Sequence, residues 1–85
     1  MKLDDRMMRL IAVGASIAAN CQPCLQINAA KALESGATEG EIAEAIWVGG
    51  MVRRGAASKM DKFAASLNQA VPMAASLPDE GCECK

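Results

Sequence analysis

"LIAVGASIAANCQPCLQINAAKALESGATEGEIAEAI", residues 10–46, has apolar residues at helical spacing and two interruptions, at residues 20–24 and 35–36. Pro23 in the first interruption fits the first turn of a helix, where its missing N–H has no partner to lose. After the second, Thr38 and Glu41 have the spacing of an N-terminal capping box. We therefore predict three successive helices: residues 3–19, a second from the first interruption to residues 35–36, and a third from Thr38.

The residues that follow predict one more helix and a tail. "VGGMVRRGAASKMDKF", residues 48–63, keeps the helical period but contains three glycines. We expect the third helix to end or bend near Gly55 and a last helix to start near Ser58, burying Met60, Phe63, Ala64 and Leu67. After Gln69 the pattern ends, and two prolines follow. The predicted organisation is a helical domain, residues 1–70, and an extended cysteine-containing tail, residues 71–85.

Composition predicts a small all-α bundle that is oligomeric. The chain has 85 residues, 52% of them hydrophobic, but seventeen are alanine and only two residues are aromatic. Such side chains suit closely packed helices better than a sheet. A domain of this size buries only about 60–65% of its unfolded surface, so we expect a homo-oligomer. Trp47 falls off the predicted core face and is expected to lie, with Met51 and Arg54, in a subunit interface.

Charge and hydropathy exclude two classes of partner. Nine basic and ten acidic residues give a net charge of −1, so we predict no binding to nucleic acid or to an anionic membrane. The apolar run at residues 10–19 is about half a membrane span, and we expect a cytoplasmic protein. Four basic residues (Arg53, Arg54, Lys59 and Lys62) cluster in the third and fourth predicted helices. They are expected to form a solvated surface, with anchoring of the acidic tail as the alternative.

Cys21 and Cys24 form a C-x-x-C at the predicted start of the second helix. This spacing permits a disulfide with little movement, and the unpaired N–H groups of a first helical turn stabilise a thiolate. The pair is therefore predicted to be a reactive dithiol. The alternative is that both side chains are small apolar groups buried beneath the turn.

Cys82 and Cys84 lie in the tail, next to Asp79, Glu80 and Glu83. The acidic neighbours disfavour a thiolate, so these cysteines are expected to react after Cys21 and Cys24. Three roles stay open: a redox relay to the first pair, a metal site shared with it, or a passive tail.

With the C-x-x-C placed, residues 10–46 resemble the carboxymuconolactone decarboxylase family, on its alkylhydroperoxidase D-like side. The matching features are an apolar helix, C-x-x-C, an S-G-A-T turn and "EGEIAEA", and residues 48–67 resemble the short single-domain members. The resemblance implies an all-α fold, a trimer or hexamer, and a cysteine pair that reduces peroxides or disulfides. It also implies that Cys24 attacks and Cys21 resolves. A thioredoxin-like analogy would exchange these two roles.

Two positions depart from the pattern of the redox-active members. Those members usually have a histidine four positions after the second cysteine, where this chain has Asn28, and a glutamate twelve positions before the first, where it has Arg9. Asn28 can hydrogen-bond a thiolate but cannot carry a proton, and Arg9 can favour an anion but is not a base. A straight helix would hold Arg9 about 18 Å from Cys21. We therefore expect Arg9 to assist only through a bend or from a neighbouring chain.

The resulting functional prediction is a thiol-disulfide oxidoreductase or weak peroxidase that needs no cofactor. Its expected partners are a small oxidant or disulfide substrate and a thioredoxin-like electron donor. The alternative, from another class, is a non-enzymatic oligomeric scaffold or metal-binding protein with cysteine ligands. A carboxymuconolactone-type decarboxylase ranks lower, because the histidine-free chain lacks the bases which that chemistry requires.

Overall fold

The described residues form three helices in an up-down-up arrangement. The computed structural model describes residues 1–70, with side chains through residue 67. The helices are α1, Asp5–Ala18; α2, Gln22–Glu34; and α3, Glu39–Ala70. Helix α1 packs against both other helices, whereas α2 and α3 barely touch each other. The described residues contain no strand, which confirms the all-α prediction for this part of the chain.

The turn between α1 and α2 places Cys21 at a helix start. Asp4 caps α1 by accepting the N–H of Met7 at 2.8 Å. At the other end, Asn20 has a φ of 56°, and the Cys21 N–H donates to the Ser16 carbonyl at 2.9 Å. This is the 6→1 bond of a Schellman ending, in which asparagine is one of the few residues that tolerate the left-handed conformation. The residue that follows this ending, Cys21, is at once the N-cap of α2.

The turn between α2 and α3 confirms the predicted caps. Gly36 has a φ of 99°, and the Ala37 N–H donates to the Ala32 carbonyl at 2.9 Å. Glu41 accepts the Thr38 N–H and donates its own N–H to the Thr38 hydroxyl, both at 3.0 Å. Its other carboxylate oxygen pairs with Arg6 of α1 at 2.7 Å. The Thr38 backbone donor, together with Arg6, lowers the pKa of Glu41 below its usual value.

Helix α3 continues through the position where an ending or bend is predicted. It is one helix of 32 residues, about 48 Å long, so the predicted break near Gly55 and the separate helix from Ser58 are both wrong. A glycine inside a helix costs only about 1 kcal/mol relative to alanine, and the favourable helix formers around Gly55 outweigh that cost. The predicted tail, residues 71–85, lies outside the described residues.

The core is small and contains a backbone-to-backbone helix contact. Val13 and Ala32 are fully buried, and Ala37 and Ile42 join them, with four partly buried residues packed around this cluster: Leu10, Leu25, Ala29 and Ala45. Gly14 of α1 and Gly49 of α3 face each other so closely that a side chain at Gly49 would overlap the Gly14 carbonyl. Gly14 and Gly49 therefore set the distance between α1 and α3.

Much of the apolar surface of α3 has no partner among the described residues. Every described residue from 51 to 67 is exposed, including the predicted core residues Met60, Phe63, Ala64 and Leu67. That part of the core prediction is wrong for the described part of the chain, since α1 and α2 are too short to cover this half of α3. Trp47 is 61% exposed, which agrees with its predicted place off the core face. None of the helices in the described part combines the length and hydrophobicity required to span a membrane.

Candidate redox site

Cys21 and Cys24 are joined by a disulfide at the start of α2. Their Cα atoms are 5.2 Å apart, because one residue is the N-cap and the other lies in the first helical turn. The Cys24 N–H points at Cys21 Sγ across 3.3 Å, in place of the side-chain oxygen that usually caps a helix. A sulfur at this position receives an N–H that no helical carbonyl can accept. The same contact would stabilise a Cys21 thiolate after reduction.

The two sulfur-bearing residues differ in exposure. Cys24 is exposed, as are its neighbours Gln22 and Pro23, whereas Cys21 is half-buried. Pro23 lies in the first turn of α2, as predicted, where no backbone donor is lost. The alternative prediction, two cysteines buried beneath the turn, therefore fails for Cys24. A reagent in solvent can reach the disulfide from the Cys24 side.

Arg9 and Asn28, the two candidate supporting residues, contact each other. Arg9 Nη1 donates to Asn28 Oδ1 at 2.9 Å, and Asn28 Nδ2 donates to the Cys24 carbonyl at 2.9 Å. The prediction that Arg9 could assist only through a bend or from a neighbouring chain is wrong. Because α2 folds back along α1, residue 9 lies beside residue 28 in the same chain. Arg9 thus connects to the backbone of Cys24 through Asn28, and neither residue can carry a proton at neutral pH.

A pocket of about 170 Å³ opens beside Cys21 and contains a residue that the sequence did not indicate. Its lining is formed by seven residues from all three helices and the first turn: Ser16, Ile17, Asn20, Cys21, Gln22, Leu25 and Arg53. Arg53 comes from α3, and its Nη1 donates to the Ile17 carbonyl at 3.3 Å and to Asn20 Oδ1 at 2.9 Å. The sequence had placed Arg53 in a basic cluster that was expected to be solvated or, as the alternative, to anchor the acidic tail. The small-residue match of Gly14 with Gly49 is the signal that could have located it, because Arg53 lies one helical turn after Gly49.

Cys82 and Cys84 lie outside the described residues, so their predicted relay and metal roles stay predictions. Within the described part, no three cysteine or carboxylate side chains lie close enough to hold a metal ion. Cys21 and Cys24 could supply only two ligands of a four-coordinate site. A metal shared with the tail would need both of its cysteines.

A family model described as "Carboxymuconolactone decarboxylase family" matches residues 1–74. A curated relative from Paracoccus denitrificans, "Uncharacterized protein 4 in cox locus", is 42% identical over 55 residues, which is 65% of this chain and 50% of the relative. The chain thus spans about half the length of that relative. No solved structure matches the chain. The family match confirms the resemblance expected from the C-x-x-C and its flanking helices.

Proposed function

The chain belongs to the carboxymuconolactone decarboxylase family, and we propose that it is a thiol-disulfide oxidoreductase or weak peroxidase. Cys21 and Cys24 are its redox-active pair. The observation that carries this proposal is the disulfide at the exposed start of α2, next to an open pocket. A disulfide placed only for stability would close a loop of two residues and would constrain the unfolded chain very little.

Reduction of a hydroperoxide by this pair balances without a cofactor. The Cys24 thiolate attacks the distal peroxide oxygen, the O–O bond breaks with its electron pair going to the leaving oxygen, and that oxygen takes a proton from water to leave as an alcohol or as water. Cys21 then attacks the resulting Cys24 sulfenic acid, which releases water and forms the disulfide. The exposure of Cys24 and the family resemblance support Cys24 as the attacking residue. The Cys24 N–H near Cys21 Sγ favours the opposite order in exchange with a disulfide substrate.

Turnover is expected to be slow. A positioned general acid or base contributes typically about 10²–10⁴-fold to the rate, and no histidine is present to supply it. Arg9 and Asn28 join the second turn of α1 to the middle of α2, and Asn28 polarises the Cys24 carbonyl, but neither residue moves a proton. The proposed enzyme thus keeps the dithiol and its helix start while lacking a proton carrier.

Peroxide treatment of the reduced protein tests the proposal. Dilute peroxide should convert Cys21 and Cys24 to an intramolecular disulfide, and Cys21→Ser or Cys24→Ser should abolish it. Peptide mapping identifies the linked residues and also reports whether the tail cysteines cross-link to them. If both thiols stay free while excess peroxide is consumed elsewhere, the redox proposal is lost. Stoichiometric zinc or iron in protein purified under reducing, chelator-free conditions would instead support the metal-binding alternative.

Assembly is a further part of the proposal. Within the part of the chain that the structure describes, α3 exposes large apolar side chains along its second half, of which Met60 and Phe63 are 64% and 60% exposed. A groove between α1 and α3, about 410 Å³ in volume and lined almost entirely by apolar residues, adjoins that surface. Large exposed apolar surfaces of this kind are typical of subunit contacts. We therefore propose a homo-oligomer, a trimer or hexamer by family resemblance.

A further inference from the structure

The pocket beside Cys21 contains one ionisable side chain besides the cysteine itself. Among the residues that line it, Arg53 carries a positive charge and none carries a negative charge. The remaining polar groups, Ser16, Asn20 and Gln22, are uncharged. A volume of about 170 Å³ corresponds to roughly six water molecules. The pocket is therefore cationic and suits a small molecule of a few heavy atoms.

Arg53 is held in place by the end of α1. Its Nη1 donates both to the last-turn carbonyl of Ile17 and to the side-chain oxygen of Asn20. Asn20 itself is constrained, because its left-handed φ of 56° forms the turn that leads to Cys21. With Nη1 used in this way, Nε and Nη2 remain as donors for a ligand. A guanidinium fixed at one edge presents these donors in the planar geometry that a carboxylate accepts.

We propose that the small pocket binds the carboxylate of a low-molecular-weight thiol that reduces the Cys21–Cys24 disulfide. Arg53 is the residue that recognises the carboxylate, and Cys21 is the sulfur that the bound thiol attacks. This inference rests on the proposed redox function, which it deepens by naming the class of reductant. It differs from the sequence-based expectation that Arg53 belongs to a solvated surface or anchors the acidic tail.

The reduction balances with two molecules of the thiol. The thiolate sulfur of the first bonds to Cys21 Sγ, and the Cys21–Cys24 bond breaks with its electron pair going to Cys24, which takes a proton from water. A second thiolate attacks the sulfur of the small molecule in the mixed disulfide and releases Cys21 as a thiolate, which takes the second proton from water. Two thiols have then become one small disulfide, and the protein has gained two electrons and two protons.

Three thiols of similar size but different charge test the inference on the full chain. The oxidised protein is reduced with 3-mercaptopropionate, 2-mercaptoethanol or cysteamine, and free protein thiols are counted over time. Each rate constant is calculated per thiolate concentration. It is then divided by the rate constant with which the same thiol reduces a small uncharged disulfide, so that differences in the intrinsic reactivity of the three thiols cancel. We expect the carboxylate thiol to exceed the neutral thiol by about fivefold, the scale of one exposed ion pair, and the cationic thiol to be slowest.

Variants at two adjacent arginines separate the inference from its alternatives. Arg53→Gln should abolish the preference, so that the carboxylate thiol and the neutral thiol reduce the disulfide at equal normalised rates. Arg53→Lys should retain part of the preference, and Arg54→Gln should keep the wild-type ratio of the two rates. Arg54 is the matched control, because it neighbours Arg53 on α3 but does not line the pocket. The preference should also weaken with added salt.

Two results would overturn the inference. If wild-type protein reduces equally fast with all three thiols, the pocket does not select a carboxylate, although the redox proposal stands because the disulfide is still reduced. If Arg53→Gln slows the neutral and the carboxylate thiols by the same factor, Arg53 acts only by holding the end of α1. Failure of every thiol to reduce the disulfide would instead contradict the proposed function itself.

Discussion

Replacing Gly49 by alanine should destabilise the protein, although alanine is the better helix former. A Cβ at Gly49 would overlap the carbonyl oxygen of Gly14 and lie 2.9 Å from both the Gly14 carbonyl carbon and Ile17 Cβ. These atoms cannot rotate away, since two belong to backbone and the third is bonded to it. Helices α1 and α3 must therefore separate by roughly 0.5–1 Å, which loses a quarter to a half of the dispersion energy of each contact along the crossing.

The expected loss is about 2 kcal/mol in the free energy of unfolding. Overpacking a close-packed site costs about 1–3 kcal/mol, and backbone contacts place Gly49→Ala at the upper end. The gain in helix propensity, about 1 kcal/mol, offsets part of this. Urea denaturation followed by circular dichroism at fixed protein concentration measures the change. With a urea dependence near 1–2 kcal/mol/M, the midpoint should fall by about 1–2 M.

Gly55→Ala is the matched control in the same helix. Among the described residues, no neighbouring atom lies within 4 Å of a Cβ placed at that position. The free energy of unfolding of the variant should therefore rise by about 0.5–1 kcal/mol. Glycine-to-alanine substitutions at two positions six residues apart are thus expected to change the free energy of unfolding in opposite directions. If Gly49→Ala is as stable as Gly55→Ala, the α1–α3 crossing does not depend on backbone contact, and the reasoning is refuted.

Three further predictions concern acid stability, catalysis and assembly. Because the pKa of Glu41 is lowered in the folded protein, its ionised form stabilises the fold fully above pH 4.5, the unperturbed pKa. This stabilisation should be lost as the pH falls through the lower pKa of the folded state. Unfolding measured as a function of pH should show that Glu41→Gln removes this part of the acid sensitivity. Asn28→His should accelerate peroxide-dependent formation of the disulfide tenfold or more, because Arg9 keeps the imidazole neutral and able to accept a proton; an unchanged rate would contradict the missing-carrier argument. Light scattering should report a homo-oligomer, weakened by Trp47→Ala, whereas a monomer at micromolar concentration would contradict the proposed assembly.

The first two turns between helices and the placement of the C-x-x-C could be predicted from sequence because they depend on neighbouring residues. The capping box of Thr38 with Glu41 and the glycine stop at Gly36 are hydrogen-bond patterns within a few residues of one another. The position of Cys21 and Cys24 at a helix start follows from the same local rules, since Pro23 is favoured in a first turn. The family resemblance added the chemistry proposed for the pair but no contact between helices.

The continuity of α3 was not predictable from the local pattern. Glycines at 49, 50 and 55 suggest a break, and a possible cap at Ser58 with Asp61 suggests a new start. Two of these glycines are buried, and Gly49 allows α1 to approach the α3 backbone. Packing against α1 thus explains why glycine occupies position 49 in the middle of a helix, without any ending of that helix.

The sequence by itself determined the helical class, the caps and the C-x-x-C, whereas tertiary structure decided which side chains surround the disulfide. Antiparallel packing of α1 and α2 brings Arg9 to Asn28, and parallel packing of α1 and α3 brings Arg53 to the pocket beside Cys21. Arg9 is 19 positions from Asn28 in the sequence, and Arg53 is 33 positions from Asn20. The physical reason is that a cap is completed within one turn of chain, but a contact between helices depends on their direction, crossing and separation, which here follow from the approach of Gly14 to Gly49.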